Sequence, residues 1–297
     1  MTGNIQYFLQ LIVSGLAVGS LYALVALGFV LIYKATDILN FAHGEVMMMG
    51  AFVCYVLMTG FSLPFFGAVL ITVLFALLFG FLTERLVLRP MIGEPIFAVV
   101  MVTIGLSIFL RSVSGIIFGY DNRVFPSPFS QTPINFKGLV LSHTHLWIMA
   151  ISGLLVILFF VFFKYSRTGL SMRGVANDQD TAMLMGISVK RVFALTWGLA
   201  FAIAAVAGIF LANVMVLNIG LSLVALKAFP AVILGGLESI PGAIIGGLTI
   251  GVVETIVGGY LDDVLPGAKE LTPFVVLFLV LMIRPYGLFG KEEIERV

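Results

Sequence analysis

An all-α, polytopic membrane helix bundle is the fold this sequence predicts, and three observations carry the prediction. The first is composition. Of the 297 residues, 61% are hydrophobic and only 10% charged, with a mean hydropathy of +1.16, whereas charged residues make up about a quarter of an ordinary soluble domain. The second is distribution: the apolar residues fall into nine runs, and about 20 such residues carry a helix across a bilayer. The third is that most charges gather in the links between runs or at their ends, where water reaches them.

In chain order the runs are 7–33, 42–59, 63–84, 96–118, 145–163, 191–214, 222–236, 241–260 and 271–284, the second, seventh and ninth being short. The first has no basic residue before Lys34 and is too long for the apolar region of a cleaved signal, so it reads as a retained span. The second opens with Asn40-Phe41-Ala42-His43-Gly44-Glu45. There Asn40 is placed to cap a helix and Glu45 to complement its positive end. Those two and His43 are also candidates for lining a pathway.

Between the fourth and fifth runs lies a loop, 119–144, whose Pro126, Pro128 and Pro133 predict extended or turn-rich chain. His143 and His145 stand two apart at its end, with no cysteine or acidic cluster beside them. They read as surface histidines and not as a metal pair.

The stretch 164–191 is the one long polar interruption, with Lys164, Arg167, Arg173, Lys190 and Arg191 against Asp178 and Asp180. Asn177 is expected to cap a short helix of about 8 residues with Asp180 at its third position, and Gly186 to stop it. The body of that helix, Ala182-Met183-Leu184-Met185, is apolar although the loop faces water. Methionines there suit the groove of a partner; the alternative is an amphipathic helix lying on its own membrane surface.

From Phe229 to Gly247 two prolines and a set of glycines interrupt the apolar pattern. Irregular backbone at membrane depth survives only where it is buried in protein or lines a cavity. Close packing through small residues accounts for the glycines equally well, but not for Pro230 or Glu238, which are therefore path candidates. The run Arg284-Pro285-Tyr286-Gly287-Leu288-Phe289-Gly290 reads as a helix stop with a basic interfacial anchor.

Orientation follows from the basic residues, which are enriched in short cytoplasmic loops. With 164–191 inside, eleven fall on the cytoplasmic side (Lys34, Arg85, Arg89, Lys164, Arg167, Arg173, Lys190, Arg191, Arg284, Lys291, Arg296) and three outside (Arg123, Lys137, Lys269). The N-terminus is then external, and the tail 285–297 cytoplasmic.

The two remaining basic residues, Arg111 and Lys227, lie inside spans, as does Glu254. On this topology all three sit roughly 8 to 10 Å below the external surface. An unpaired carboxylate there costs about 3 kcal/mol even on lenient insertion scales. Glu254 is therefore expected to pair with Lys227 or Arg111, closing the outer half of a path or meeting a zwitterionic substrate.

Several functions are disfavoured. A net charge of +1 with basic residues dispersed to span ends gives no nucleic-acid surface. Cys54 is the only cysteine, so no intrachain disulfide forms. There is no Gly-x4-Gly-Lys-Ser/Thr phosphate loop, hydrolase elbow, Cys/His dyad or metal-ligand cluster, so any ATP is bound by another subunit and the chain is not an enzyme. Residues 1–297 read as one transmembrane domain. A long span followed by a broken segment occurs once in each half, in opposite directions, and such interruptions point to a transporter's pathway.

Taken in order, the Asn40–Glu45 motif, the Asp180–Gly186 loop, Phe229-Pro230-Ala231-Val232-Ile233-Leu234-Gly235-Gly236 and the Arg284–Gly290 motif resemble the permease family of high-affinity branched-chain amino acid ABC importers. The resemblance covers essentially the whole chain. Asp180-Thr181-Ala182, with Gly186 four residues on, is similar to the Glu-Ala-Ala loop by which importer permeases engage their ATPases. Asp180 and Thr181 replace the Glu and first Ala, and the usual Ile-x-Leu-Pro ending is missing.

The resemblance implies a fold like the vitamin B12-type importer permease, in the bacterial inner membrane, with ATPase coupling at Asp180, Thr181, Ala182 and Gly186. It also implies a second related permease, two cytoplasmic ATPases using ATP and Mg, and a periplasmic binding protein for leucine, isoleucine and valine. Related permeases carry urea, short amides or other amino acids. An ion-coupled secondary transporter and a membrane scaffold are the rival classes. The docking loop disfavours both, and the scarcity of buried carboxylates disfavours proton coupling.

Overall fold

The computed structural model describes residues 2–129, 132–136, 139–284 and 286–290. Each of the nine apolar runs is a helix: α1 (Thr2–Thr36), α2 (His43–Thr59), α3 (Phe65–Thr83), α4 (Ile96–Phe118), α5 (His143–Tyr165), α8 (Val189–Val214), α9 (Val224–Gly235), α10 (Ile240–Leu261) and α11 (Ala268–Ile283). The polar loop adds two more, α6 (Arg167–Asn177) and α7 (Gln179–Leu184). Six of the described helices are long and apolar enough to span a membrane. The three runs that look short remain short, at 17, 12 and 16 residues for α2, α9 and α11. The third span runs past Thr83 through a π-helical turn, Glu84–Leu88, and a short 3-10 turn, so that its helical chain reaches Met91.

The chain forms two compact units. One comprises 31–128 and 154–225, and is built on α8, which packs against α2 and α3. Small residues make these contacts close. A Cβ on Gly208 would lie 1.9 Å from the Met47 carbonyl oxygen, one on Gly50 2.6 Å from Ala205 Cα, and one on Gly80 2.6 Å from the Trp197 carbonyl oxygen. Around these points Phe52, Trp197 and Phe201 are fully buried. By contrast α4 turns Phe97, Ile108 and Ile116 outward, as a helix bordering lipid does.

The other unit comprises 1–30, 129–153 and 226–297. Here α1 meets α10 through glycines on both helices: a Cβ on Gly251 would lie 2.3 Å from Gly19 Cα, and one on Gly15 2.7 Å from Val252 Cα. Helix α11 packs on α10. The extended chain expected before the fifth run includes one antiparallel hairpin, β1 (Ile134–Phe136) with β2 (Leu139–Leu141), in which Ile134 faces Leu141. The Gln10 carboxamide bonds both backbone groups of Val140, accepting from its N–H at 2.9 Å.

Candidate functional site

The polar loop folds into two capped helices. Ser166 Oγ accepts the Gly169 N–H at 2.8 Å and starts α6. Sequence reasoning missed α6, although a serine just ahead of a helix is its local signal. The cap of α7 is Asp178 and not Asn177: Asn177 ends α6, and Asp178 has the extended backbone that a cap requires. Thr181 donates its N–H to Asp178 Oδ1 at 2.9 Å and its hydroxyl to Oδ2 at 2.8 Å. That backbone bond, ahead of the hydroxyl bond, holds the Asp178 carboxyl below its ordinary range. The helix is six residues long, shorter than expected.

Gly186 stops α7 as anticipated, at φ +81°. The Ile187 N–H reaches back to the Ala182 carbonyl at 3.0 Å and the Gly186 N–H to that of Met183 at 2.9 Å. These are the paired bonds of a Schellman ending, in which a left-handed glycine satisfies the last carbonyls. Asp180, Thr181 and Gly186 are exposed and Ala182 is buried. Met183, Leu184 and Met185 are 53%, 88% and 78% exposed, so the end of α7 offers an apolar surface.

A buried carboxylate of the same unit stands at the start of α2. Glu45, 2% exposed, lies in its first turn. Arg111 Nη2 of α4 is 2.7 Å from Glu45 Oε1 and also donates to Ser222 Oγ at 3.2 Å. Asn40 is buried but sits further out than the cap expected of it: Ala42 is the cap residue, and Asn40 Oδ1 accepts the Ala42 N–H at 3.1 Å. The cause is a turn in which the Asn40 carbonyl takes the His43 N–H at 3.2 Å, moving the helix start two residues on. His43 is fully buried. The Thr103 hydroxyl of α4 donates to the Leu39 carbonyl at 3.1 Å and ties this entry segment down.

In the other unit, Lys227 of α9 lies 3.4 Å from Glu254 of α10 and also pairs with Glu270 of α11. Glu254 is 1% exposed, and Tyr22 of α1 lies beside it. The partner of Glu254 is thus Lys227, whereas Arg111 belongs with Glu45, a pairing that sequence reasoning missed. A second missed pair is Glu84 with Arg89, in which Arg89 Nε and Nη2 reach the two carboxylate oxygens at 3.2 and 2.7 Å.

Pro230 is buried inside α9, which runs through it and stops at Gly235. The interruption falls at Gly236, at φ +95°. A proline removes one N–H, and the helix persists on both sides of that gap. Glu238 is exposed in the turn before α10. The Arg284–Gly290 motif does more than stop α11. The Leu288 N–H donates to the Leu234 carbonyl at 2.8 Å, and a Cβ on Gly287 would lie 2.3 Å from the Ile233 carbonyl oxygen. The segment therefore clasps the end of α9. Pro285 and the tail from 291 on lie outside the described residues.

Among the described residues no group of three His, Cys, Asp or Glu side chains is arranged to hold a metal ion. The arrangement is that of a helix assembly in which buried carboxylates are answered by cations and the end of α7 is apolar and exposed.

Residues 11–283 match the family model described as "Branched-chain amino acid transport system / permease component". Over 317 aligned residues, covering all of both chains, the sequence is 35% identical to the high-affinity branched-chain amino acid transport system permease protein LivH of Escherichia coli. It is 33% identical to the corresponding BraD protein of Pseudomonas aeruginosa, over 99% of both chains. It is 27% identical to a probable LivH of Methanocaldococcus jannaschii, over 92% of this chain and 90% of that one. No solved structure matches the chain. With a family model spanning nearly all of its length and relatives aligned from end to end, this chain belongs to the branched-chain amino acid transport system permease family.

Proposed function

We propose that the chain, as a single permease domain over 1–297, forms the translocation path of an ABC importer for branched-chain amino acids, with a fold of the vitamin B12-type importer permease. The partners are a second related permease, two cytoplasmic ATPases that use ATP and Mg, and a periplasmic amino-acid-binding protein. The protein sits in the inner membrane of a bacterium with its N-terminus outside and its tail inside. Coupling runs through Asp180, Thr181, Ala182 and Gly186, and the path or gate residues are Asn40, His43, Glu45 and Arg111 in one unit and Lys227, Pro230, Glu238 and Glu254 in the other.

The observation that carries the reading is α7. A capped helix in the most polar loop that leaves Met183, Leu184 and Met185 exposed is suited to a protein groove. The basic residues of that loop support its cytoplasmic side.

The test reconstitutes the chain with its partner subunits in proteoliposomes and follows labelled leucine. Uptake that requires ATP and the binding protein, and that is lost with Leu184→Asp together with ATPase association, is the expected result. Uptake driven by an ion gradient without ATPases overturns the reading in favour of a secondary transporter.

A further inference from the structure

The unit built on α8 contains a cavity of about 150 Å³ bordered by α7. Phe193 and Trp197 of α8, Leu88 of the π turn and Val99 of α4 supply its apolar walls. Gln179, the first residue of α7, also borders it, with a polar carboxamide side chain. The helix whose end carries Met183, Leu184 and Met185 is therefore in contact with whatever occupies this space. The π turn adds weight, since single π turns within helices recur at functional sites.

The charge of the lining is one-sided. It includes two carboxylates, Glu84 and Glu94, and no Lys, Arg or His. Glu84 is buried and answered by Arg89. Glu94 is exposed, follows Gly93 at φ +93°, and forms no ion pair among the described residues. Glu94 is thus the unanswered charge of the lining, and one carboxylate over an aliphatic and aromatic floor suits a cation with a short apolar body. An ammonium gives charge-assisted hydrogen bonds to the carboxylate, while its carbons are buried on the floor. The size sets an upper bound, because sites for drug-sized ligands run to roughly 300 to 1,000 Å³.

We propose that this cavity binds a primary ammonium on a short aliphatic body, with Glu94 as its counter-ion, and that occupancy holds α7 in place. Two sources offer that chemistry: the headgroup of phosphatidylethanolamine, and a free aliphatic amine or amino acid. The cytoplasmic location of the cavity, and its link to coupling, rest on the function proposed above. Binding itself does not.

The test uses the full chain carrying Trp147→Phe, which leaves Trp197 as the only tryptophan, in phosphatidylcholine nanodiscs without ATPases. Titration with 3-methylbutylamine, leucine and 3-methylbutanoate is followed by Trp197 fluorescence, and phosphatidylethanolamine is then introduced into the discs. A saturable change with the amine or leucine supports a free ligand, and a change only with phosphatidylethanolamine supports the lipid. In either case Glu94→Gln should weaken binding about tenfold or more, Glu94→Asp should retain part of it, and hydrogen exchange of α7 should slow on binding.

No response to any probe, an equal response to 3-methylbutanoate, unaltered affinity in Glu94→Gln, or unaltered exchange in α7 overturns the proposal. Because no transport is measured, an uptake result that removes the coupling role of α7 leaves the binding result standing.

Discussion

Lys227 Nζ lies 3.4 Å from Glu254 Oε1 and also pairs with Glu270, so the lysine is shared by two carboxylates while the buried one depends on the lysine. Glu254 is 1% exposed, whereas the Glu270 side chain is 64% exposed. The two single substitutions are therefore not equivalent. Lys227→Met strands a buried carboxylate, at a cost of about 3 to 5 kcal/mol. Glu254→Gln leaves the lysine with Glu270 and should be milder. Lys227→Met combined with Glu254→Gln should recover folded yield relative to Lys227→Met alone, as measured by size-exclusion chromatography of the fluorescently tagged protein. Additive losses would show that the two groups do not depend on one another.

Gly186 stands at φ +81° with nothing within 4 Å of the place a Cβ would take. A substitution there acts on the backbone and on whatever docks, and not on packing within this chain. A β-branched residue costs about 1 to 2 kcal/mol in that conformation, while asparagine is tolerated in it. Gly186→Val should lower leucine uptake and ATPase association without loss of folded protein, and Gly186→Asn should keep most of both. Equal uptake in the two variants would count against a docking role.

The carboxyl of Asp178 is held below its ordinary value by the Thr181 N–H. A group with a lowered folded pKa contributes stability in full above its unfolded value, near ~3.9, and loses that contribution as the pH falls through the folded value. Hydrogen exchange in α7 should therefore be constant from pH 6 to about 4 and quicken below it, after correction for intrinsic rates. Helix α6, capped by Ser166, should show no such step. Asp178→Asn caps without titrating and should remove the step from α7. A step common to both helices would assign it to another group.

How far the sequence reveals the molecule depends on how local each cause is. Helix formation by an apolar run is a local property, because in lipid the run must bond its own backbone, and so all nine runs were legible as helices, six of them long enough to span. The left-handed stop at Gly186 is equally local. The start of α7 was misplaced by one residue because Asn177 and Asp178 are both good caps, and only the end of α6 separates them. The pairing of Arg111 with Glu45 joins residues 66 positions apart, and nothing in either neighbourhood names the other. Its one available signal was that Glu45 is itself a carboxylate within an apolar run and needs a cation. The clasp of Leu288 on Leu234 was hidden for another reason: anchoring fully explains an Arg-Pro pair at a helix end, and the bond that adds to it is made by backbone.

Gly208 and Gly105 separate the two uses of glycine in these helices. Gly208 of α8 faces Met47 of α2 so closely that a Cβ would fall 1.9 Å from the Met47 carbonyl oxygen, whereas Gly105 of α4 has nothing within 4 Å. At Gly105 an alanine gains helix propensity, worth at most about 1 kcal/mol. At Gly208 the same methyl forces α2 off α8, and overpacking of this kind costs roughly 1 to 3 kcal/mol. Because α2 carries Glu45, the shift also displaces the carboxylate that answers Arg111. Gly208→Ala should therefore melt at a lower temperature than the parent protein and transport less. Gly105→Ala should melt at the same or a higher temperature and transport normally, with both followed by thermal-shift chromatography and leucine uptake. A Gly208→Ala protein that melts with the parent would mean that α2 and α8 are not held by this contact.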